Sequence, residues 1–248
     1  MFSKQLLCAA ALCMSASAAT LFNNGPLITH PGGGFGGADA SRLQNSSLSL
    51  TNFGFGAADS ANSRVADDFT IGGAGWQVES ITVFGYQTNS GTTSTMDFGS
   101  LRIWNGNPSA GGVIVFGDTT TNRLSSSSFT NIYRDSETSV GNGSRPIMAN
   151  TLDVGIFLTA GTYWVDCNLG GTLGSGPFTP AITILGNATT GNALQFAAGA
   201  WGPALDNANP QGIPFIVNGP DDPGVPEPSS FLLAAAGIIA TVAARRRA

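Results

Sequence analysis

The stretch that decides the fold is Arg64-Val65-Ala66-Asp67-Asp68-Phe69-Thr70-Ile71, followed four residues later by Trp76 to Thr88, WQVESITVFGYQT. Both are dense in β-branched and aromatic residues, and Gly72-Gly73-Ala74-Gly75 between them is a break that no helix would tolerate. Working outward, the same pattern recurs at Ser100–Asn105, Gly112–Gly117, Asn131–Asp135, Leu152–Leu158, Gly161–Leu169, Ala181–Leu185, Ala193–Ala197 and Ile213–Asn218. Runs of Gly, Asn, Pro or Ser divide these segments, and no window between the chain's two ends shows helical periodicity. The expectation is an all-β protein, a single antiparallel β-sandwich of jelly-roll or immunoglobulin-like kind. Strands of about ten alternating residues with aromatic girdles, the mark of an outer-membrane barrel, are not seen.

Upstream of Ser63 the pattern lapses. His30-Pro31-Gly32-Gly33-Gly34-Phe35-Gly36-Gly37 is a glycine tract without the strand-to-helix setting of a phosphate-binding loop, and it reads as part of a loose arm. The expected organisation is a leader at 1–18, a Gly-rich arm at 19–62, the sandwich at 63–219, a linker at 220–224 and a terminal sorting segment at 225–248.

Charge narrows the range of partners. Charged residues make up 10% of the chain, and between Ala19 and Pro228 six arginines face fifteen acids, a net of −9, without a lysine. Such a body repels nucleic acid and anionic membrane surfaces. The N-terminus has the parts of a secretory leader: Lys4, an apolar run from Leu6 to Met14, and Ala16-Ser17-Ala18 as a cleavage site with Ala16 and Ala18 in the small-residue positions. Removing it takes Cys8 and Cys13 away and leaves Cys167 alone, so no intramolecular disulfide is expected; in Tyr163-Trp164-Val165-Asp166-Cys167 it reads as a buried, inert thiol.

Little in the body points to catalysis. His30 is the single histidine and sits in the glycine tract, which disfavours a nucleophilic triad and a histidine-ligated zinc. A glycoside hydrolase needs only two carboxylates, and Asp67, Asp68, Glu79, Asp97, Asp118, Asp135, Asp153 and Asp166 are available without a pattern that pairs them. Asp67 and Asp68 are a weak calcium candidate, since adjacent strand residues point to opposite faces. No metal and no cofactor is expected.

The aromatic pattern is more specific. In Ser100–Asn105, Leu101 and Ile103 share one face and Arg102 and Trp104 the other; in Tyr163–Leu169, Tyr163, Val165, Cys167 and Leu169 oppose Trp164, Asp166 and Asn168. With the apolar faces inside, Trp104 and Trp164 stand outside beside Arg102 and Asp166, the makings of a platform for sugar rings. The competing reading has that outer face covered by the arm or by long loops. Trp76 and Trp201, flanked by Gly or Pro, are expected to plug the ends of the sandwich.

The C-terminal stretch carries a different message. Val225-Pro226-Glu227-Pro228 precedes an uncharged apolar run from Phe231 to Ala244 and then Arg245-Arg246-Arg247. Fourteen apolar residues are short of the roughly 20 that a helix needs to span a bilayer comfortably, and the arginines mark a cytoplasmic end. This order of parts resembles the PEP-CTERM sorting domain of exported bacterial proteins. The resemblance implies that a membrane protease-transferase, an exosortase, recognises the Pro-Glu-Pro motif, that a C-terminal hydrophobic helix holds the chain transiently in the inner membrane, and that the body then reaches the cell surface or the extracellular space. Such hosts are usually Gram-negative bacteria that make exopolysaccharide. The segments Ala66–Phe69, Leu101–Trp104 and Gly161–Trp164 are also similar to the exported β-rich bodies that often precede such tails. The expectation is therefore a non-enzymatic surface or matrix protein in an exopolysaccharide or biofilm setting, with a polysaccharide-binding module as the alternative and a secreted hydrolase behind it.

Overall fold

The structure is a computed structural model, and it describes residues 18–220. Its strands in chain order are β1 (Ala18–Asn23), β2 (Asp39–Leu43), β3 (Phe55–Gly56), β4 (Arg64–Ile71), β5 (Trp76–Gly85), β6 (Met96–Asn105), β7 (Val113–Asp118), β8 (Leu124–Ser136), β9 (Pro146–Leu158) and β10 (Gly161–Gly171). They continue with β11 (Phe178–Thr179), β12 (Leu194–Ala197), β13 (Ala200–Pro203), β14 (Leu205–Asp206), β15 (Asn209–Pro210) and β16 (Phe215–Pro220). Two six-stranded sheets carry the architecture, one in the order β1-β16-β5-β9-β8-β2 and the other β13-β12-β4-β10-β6-β7. β3–β11 and β14–β15 are two-stranded ribbons.

The protein is all-β, and its two large sheets face each other across one core. The inner face of β10 supplies Tyr163, Val165, Cys167 and Leu169, β6 supplies Leu101 and Ile103, and β4 supplies Val65, Phe69 and Ile71. The opposing sheet answers with Val78, Ile81, Val83, Leu152, Phe215 and Val217. Phe69 is the aromatic hub: its ring centroid lies 6.0 Å from Phe22 and Phe215 and 5.9 Å from Tyr163. Trp76 stacks on Phe69 at 6.4 Å, at one end of this cluster. The period-two alternation in β4, β6 and β10 thus puts one apolar face on the core, as a half-buried antiparallel sheet requires.

The first corrections fall in the N-terminal region. Residues 19–62, expected as a loose arm, build the sandwich: β1 pairs antiparallel with β16, β2 runs parallel to β8, and β3 pairs with β11. Ala40, Leu43, Leu50, Phe55 and Ala57 in this region are buried. The glycine tract is a turn held by backbone hydrogen bonds between His30 and Ala40 (3.2 and 3.0 Å), and the Arg42 guanidinium donates to Gly33 O at 2.7 Å. Breakers separate the apolar positions here, so burial exists without a periodic run. Conversely, Ala181–Leu185 is not a strand: Ala181, Ile182 and Thr183 are buried in irregular backbone. The expected C-terminal hydrophobic helix, the linker beyond Pro220 and the leader as far as residue 17 lie outside the described residues; among those described, no helix is long and apolar enough to cross a membrane.

Candidate functional site

The outer face of the second sheet holds the aromatic and charged residues singled out from the sequence. In the β10–β6 register Trp164 pairs with Trp104 and Asp166 with Arg102, so the four meet as two directly opposed pairs. β4 brings Arg64 up to Asp166 from the other side. The Arg102 Nε donates to Asp166 Oδ2 at 2.8 Å and the Trp104 Nε1–H donates to the same oxygen at 3.1 Å. Arg64 Nε lies 3.2 Å from Asp166 Oδ1, a contact of charge and distance rather than of hydrogen-bond alignment.

This face is closed rather than open. The β12–β13 hairpin continues the sheet beyond β4, and its Leu194 and Trp201 join Ala66, Trp164 and Trp104 in a second apolar cluster. The Arg64 guanidinium carbon sits 3.8 Å from the Phe196 ring centroid and 5.5 Å from that of Trp201, while Arg102 lies 4.8 Å from Trp104. Trp164 is 5% exposed, so it offers no ring face to a sugar; Trp104 is half-buried and its N–H is already taken by Asp166. Trp201, expected at an end of the sandwich, instead covers this face. Burial pushes the Asp166 carboxyl up against the opposing pull of Arg102 and Arg64, and it pushes the Arg64 guanidinium down. Such an arrangement is a desolvated ion cluster roofed by aromatic rings, with its donors and acceptors turned on each other. Sequence reasoning missed Arg64, Phe196 and Trp201 as its members, because the pairing of the β12–β13 hairpin with β4 leaves no periodic signal.

The other candidates are separated. Asp67 faces the core side of β4 and accepts from Ile213 N at 2.8 Å, Asn24 Nδ2 at 2.7 Å and Asp68 N at 2.9 Å. Burial pushes its carboxyl up to about 6 despite those donors. Asp68 points the opposite way, to Asn192 Nδ2 at 2.8 Å, so the two carboxylates do not converge. Among the described residues no group of three or more His, Cys, Asp or Glu side chains gathers to hold a metal ion. His30 lies beside Thr29 Oγ1 at 3.0 Å in its turn. Cys167 is free and sealed in the core, where burial pushes its thiol up.

Ala18, one side of the expected leader cleavage, is the first residue of β1 and pairs with Pro220. Ala16 and the terminal segment, Val225 to Pro228 with Arg245, Arg246 and Arg247, lie outside the described residues. Residues 224–247 match the family model of the PEP-CTERM protein-sorting motif. The chain carries a PEP-CTERM sorting signal. The match takes in the Pro-Glu-Pro residues and all three arginines, and it supports an exported protein that an exosortase sorts through the membrane to the surface. No curated protein and no solved structure matches this chain.

Proposed function

We propose that this PEP-CTERM protein is a non-enzymatic structural component of the cell surface or extracellular matrix, in a setting rich in exopolysaccharide. The observation that carries the reading is how the buried carboxylates are engaged. Asp135 takes a two-pronged contact from Arg42 at 2.9 and 2.7 Å, and Asp166 is held by Arg102 and Trp104. Asp206 accepts from the amides of Thr51 and Asn52 at 2.8 and 2.9 Å, and Asp67 from Ile213 and Asn24. A general acid or base needs a carboxyl free to exchange a proton with substrate. Here each of these groups ties two distant segments of the chain together, which suits a rigid module better than a catalyst.

The test uses protein recovered from the medium and surface of the native host. Its intact mass is expected to end ahead of Arg245, and no reducing ends are expected to appear when it is incubated with the host's own polysaccharide. A native form that keeps Arg245 to Arg247 would remove the sorting step, and sugar release abolished by an aspartate-to-asparagine change would make the protein a hydrolase.

A further inference from the structure

A groove of about 230 Å3 opens where the loop entering β3 meets the end of β5 and the chain leading into β11. Phe53, Tyr86, Thr88, Arg145, Ser175 and Phe178 are on its walls. The Arg145 guanidinium carbon lies 3.9 Å from the Phe53 ring centroid, and no carboxylate among the described residues forms an ion pair with it. The other arginines are committed: Arg42 to Asp135, Arg64 and Arg102 to Asp166, Arg123 to Asp118. Arg134 is sealed beneath the groove, donating to Phe53 O at 2.9 Å and to Thr183 Oγ1 at 2.8 Å. Arg145 is thus the one half-exposed guanidinium among the described residues left without an acid, in a body whose net charge is −9.

Tyr86 supplies the second, independent feature. Its side chain is 2% exposed and packs 5.7 Å from Phe178, while its hydroxyl, without a hydrogen bond to any described protein group, is not sealed from water. Gly54 lies close against that oxygen: a Cβ there would stand 2.9 Å from it. Burial pushes the phenol up to about 12, which keeps it a neutral donor. Open to water, that hydroxyl can exchange its water for a ligand's oxygen at little cost.

We propose that this groove binds a carboxylate-bearing sugar unit, of uronate type. The proposal deepens the surface-protein reading and rests on it only for the ligand's biological source. A guanidinium fork matches a carboxylate in two parallel hydrogen bonds. Phe53, under the Arg145 guanidinium, and Phe178 give apolar contact to a pyranose, and Tyr86, Thr88 and Ser175 offer hydroxyls to its own. The acidic body does not oppose this. Charges more than about 8 Å away are screened at physiological ionic strength, and the nearby groups are Arg145, Arg134 and two carboxylates, Asp206, which is buried behind Asn52, and Asp135, which is paired with Arg42.

The test is calorimetric titration of the protein recovered from cells expressing the full-length chain, with methyl glucuronoside, methyl glucoside and inorganic phosphate as probes. Saturable binding of the glucuronoside is expected, at least about tenfold tighter than the glucoside, as one charge-assisted bond would give. Arg145→Gln is expected to lose about tenfold or more with an unchanged melting temperature, and Tyr86→Phe about threefold, one neutral hydrogen bond. Arg123→Gln, outside the groove, is expected to bind as the parent does. Equal binding of glucoside, full competition by phosphate, an unaffected Arg145→Gln, or no saturable binding of any probe would overturn the assignment. Those failures leave the structural surface role standing, whereas a native protein retaining Arg245 to Arg247 would sink the sorting step and leave this groove untouched.

Discussion

Asp166→Asn removes one charge from the outer-face cluster and leaves two. The Asp166 side chain is fully sealed, and those of Arg64 and Arg102 are 7% and 14% exposed. With the carboxylate gone, Arg102 can swing from its half-buried position toward water. Arg64 cannot follow, because Phe196 and Trp201 roof it at 3.8 and 5.5 Å. Breaking a buried pair by neutralising one member costs roughly 3–5 kcal/mol, and the escape of one arginine sets the expectation at the lower end, about 3 kcal/mol. For a urea slope of about 2.5 kcal/mol per M, the unfolding midpoint should fall by roughly 1.2 M. Fluorescence is the natural readout, since Trp104, Trp164 and Trp201 all belong to this cluster. A second variant separates lost charge from lost packing. Arg64→Leu added to Asp166→Asn removes the stranded cation and should recover at least half of the loss. A loss under about 0.5 kcal/mol, or a second substitution that adds to the damage, would refute the account, showing that the rings and not the carboxylate hold Arg64.

Two further outcomes follow from buried groups. Asp67, held near 6, binds its proton more tightly in the folded protein than in the unfolded chain, whose carboxyl titrates near 3.8. Stability should therefore increase as pH falls from 6 toward 4, by about 3 kcal/mol in all at 1.36 kcal/mol per pH unit, of which about 1.4 kcal/mol lies between pH 7.5 and 5.0. Urea midpoints at pH 7.5 and 5.0 check this, with Asp67→Asn expected to flatten the rise; Asp166 shifts in the same direction and keeps part of it. Asp118 and Glu137, which turn donors hold below the usual carboxylate range, stay ionised at both pH values and do not contribute. A parent midpoint that is flat or lower at pH 5.0 would contradict the burial of Asp67. Cys167 gives the other outcome: in leader-free protein a thiol reagent at pH 8 should leave it untouched under native conditions and modify it fully in urea. Labelling within minutes in the native state would mean that the core around Val165 and Leu169 opens far more readily than its packing allows.

How much of this was legible in the chain depends on whether a residue's environment lies along its own strand. The inner faces of β4, β6 and β10 could be read from alternation alone, because Val65, Phe69, Leu101, Ile103, Tyr163 and Val165 are core residues by the period of their own segments. Arg102 and Asp166 could also be placed on a shared outer face. What could not be read is which segment closes that face, expected to be the arm or long loops. Leu194–Pro203 is a short, Gly-interrupted hairpin that extends the sheet beyond β4, and its Leu194 and Trp201 side chains turn an apparent sugar platform into a covered ion cluster. The region 19–62 failed for a related reason. β2 is DASRL, with Ser41 and Arg42 buried because Asp135 and Arg134 on β8 meet them, and composition reads such a strand as polar loop. The groove around Arg145 is assembled from four separate stretches between Asn52 and Phe178, so no motif announces it.

The topology also bears on the sorting signal. β16 lies between β1 and β5, so the first sheet closes only when residues 215–220 have joined strands that begin at Ala18 and Trp76. Non-local pairing of this kind is slow, because the closure entropy of a long loop must be met before the contacts form. The matched sorting residues start at 224, four positions past Pro220. Extended chain spans at most about 3.6 Å per residue, which keeps Gly224 within roughly 14 Å of the end of β16 and Glu227 within roughly 25 Å. The sorting signal therefore starts close in sequence to the strand that both β1 and β5 pair with.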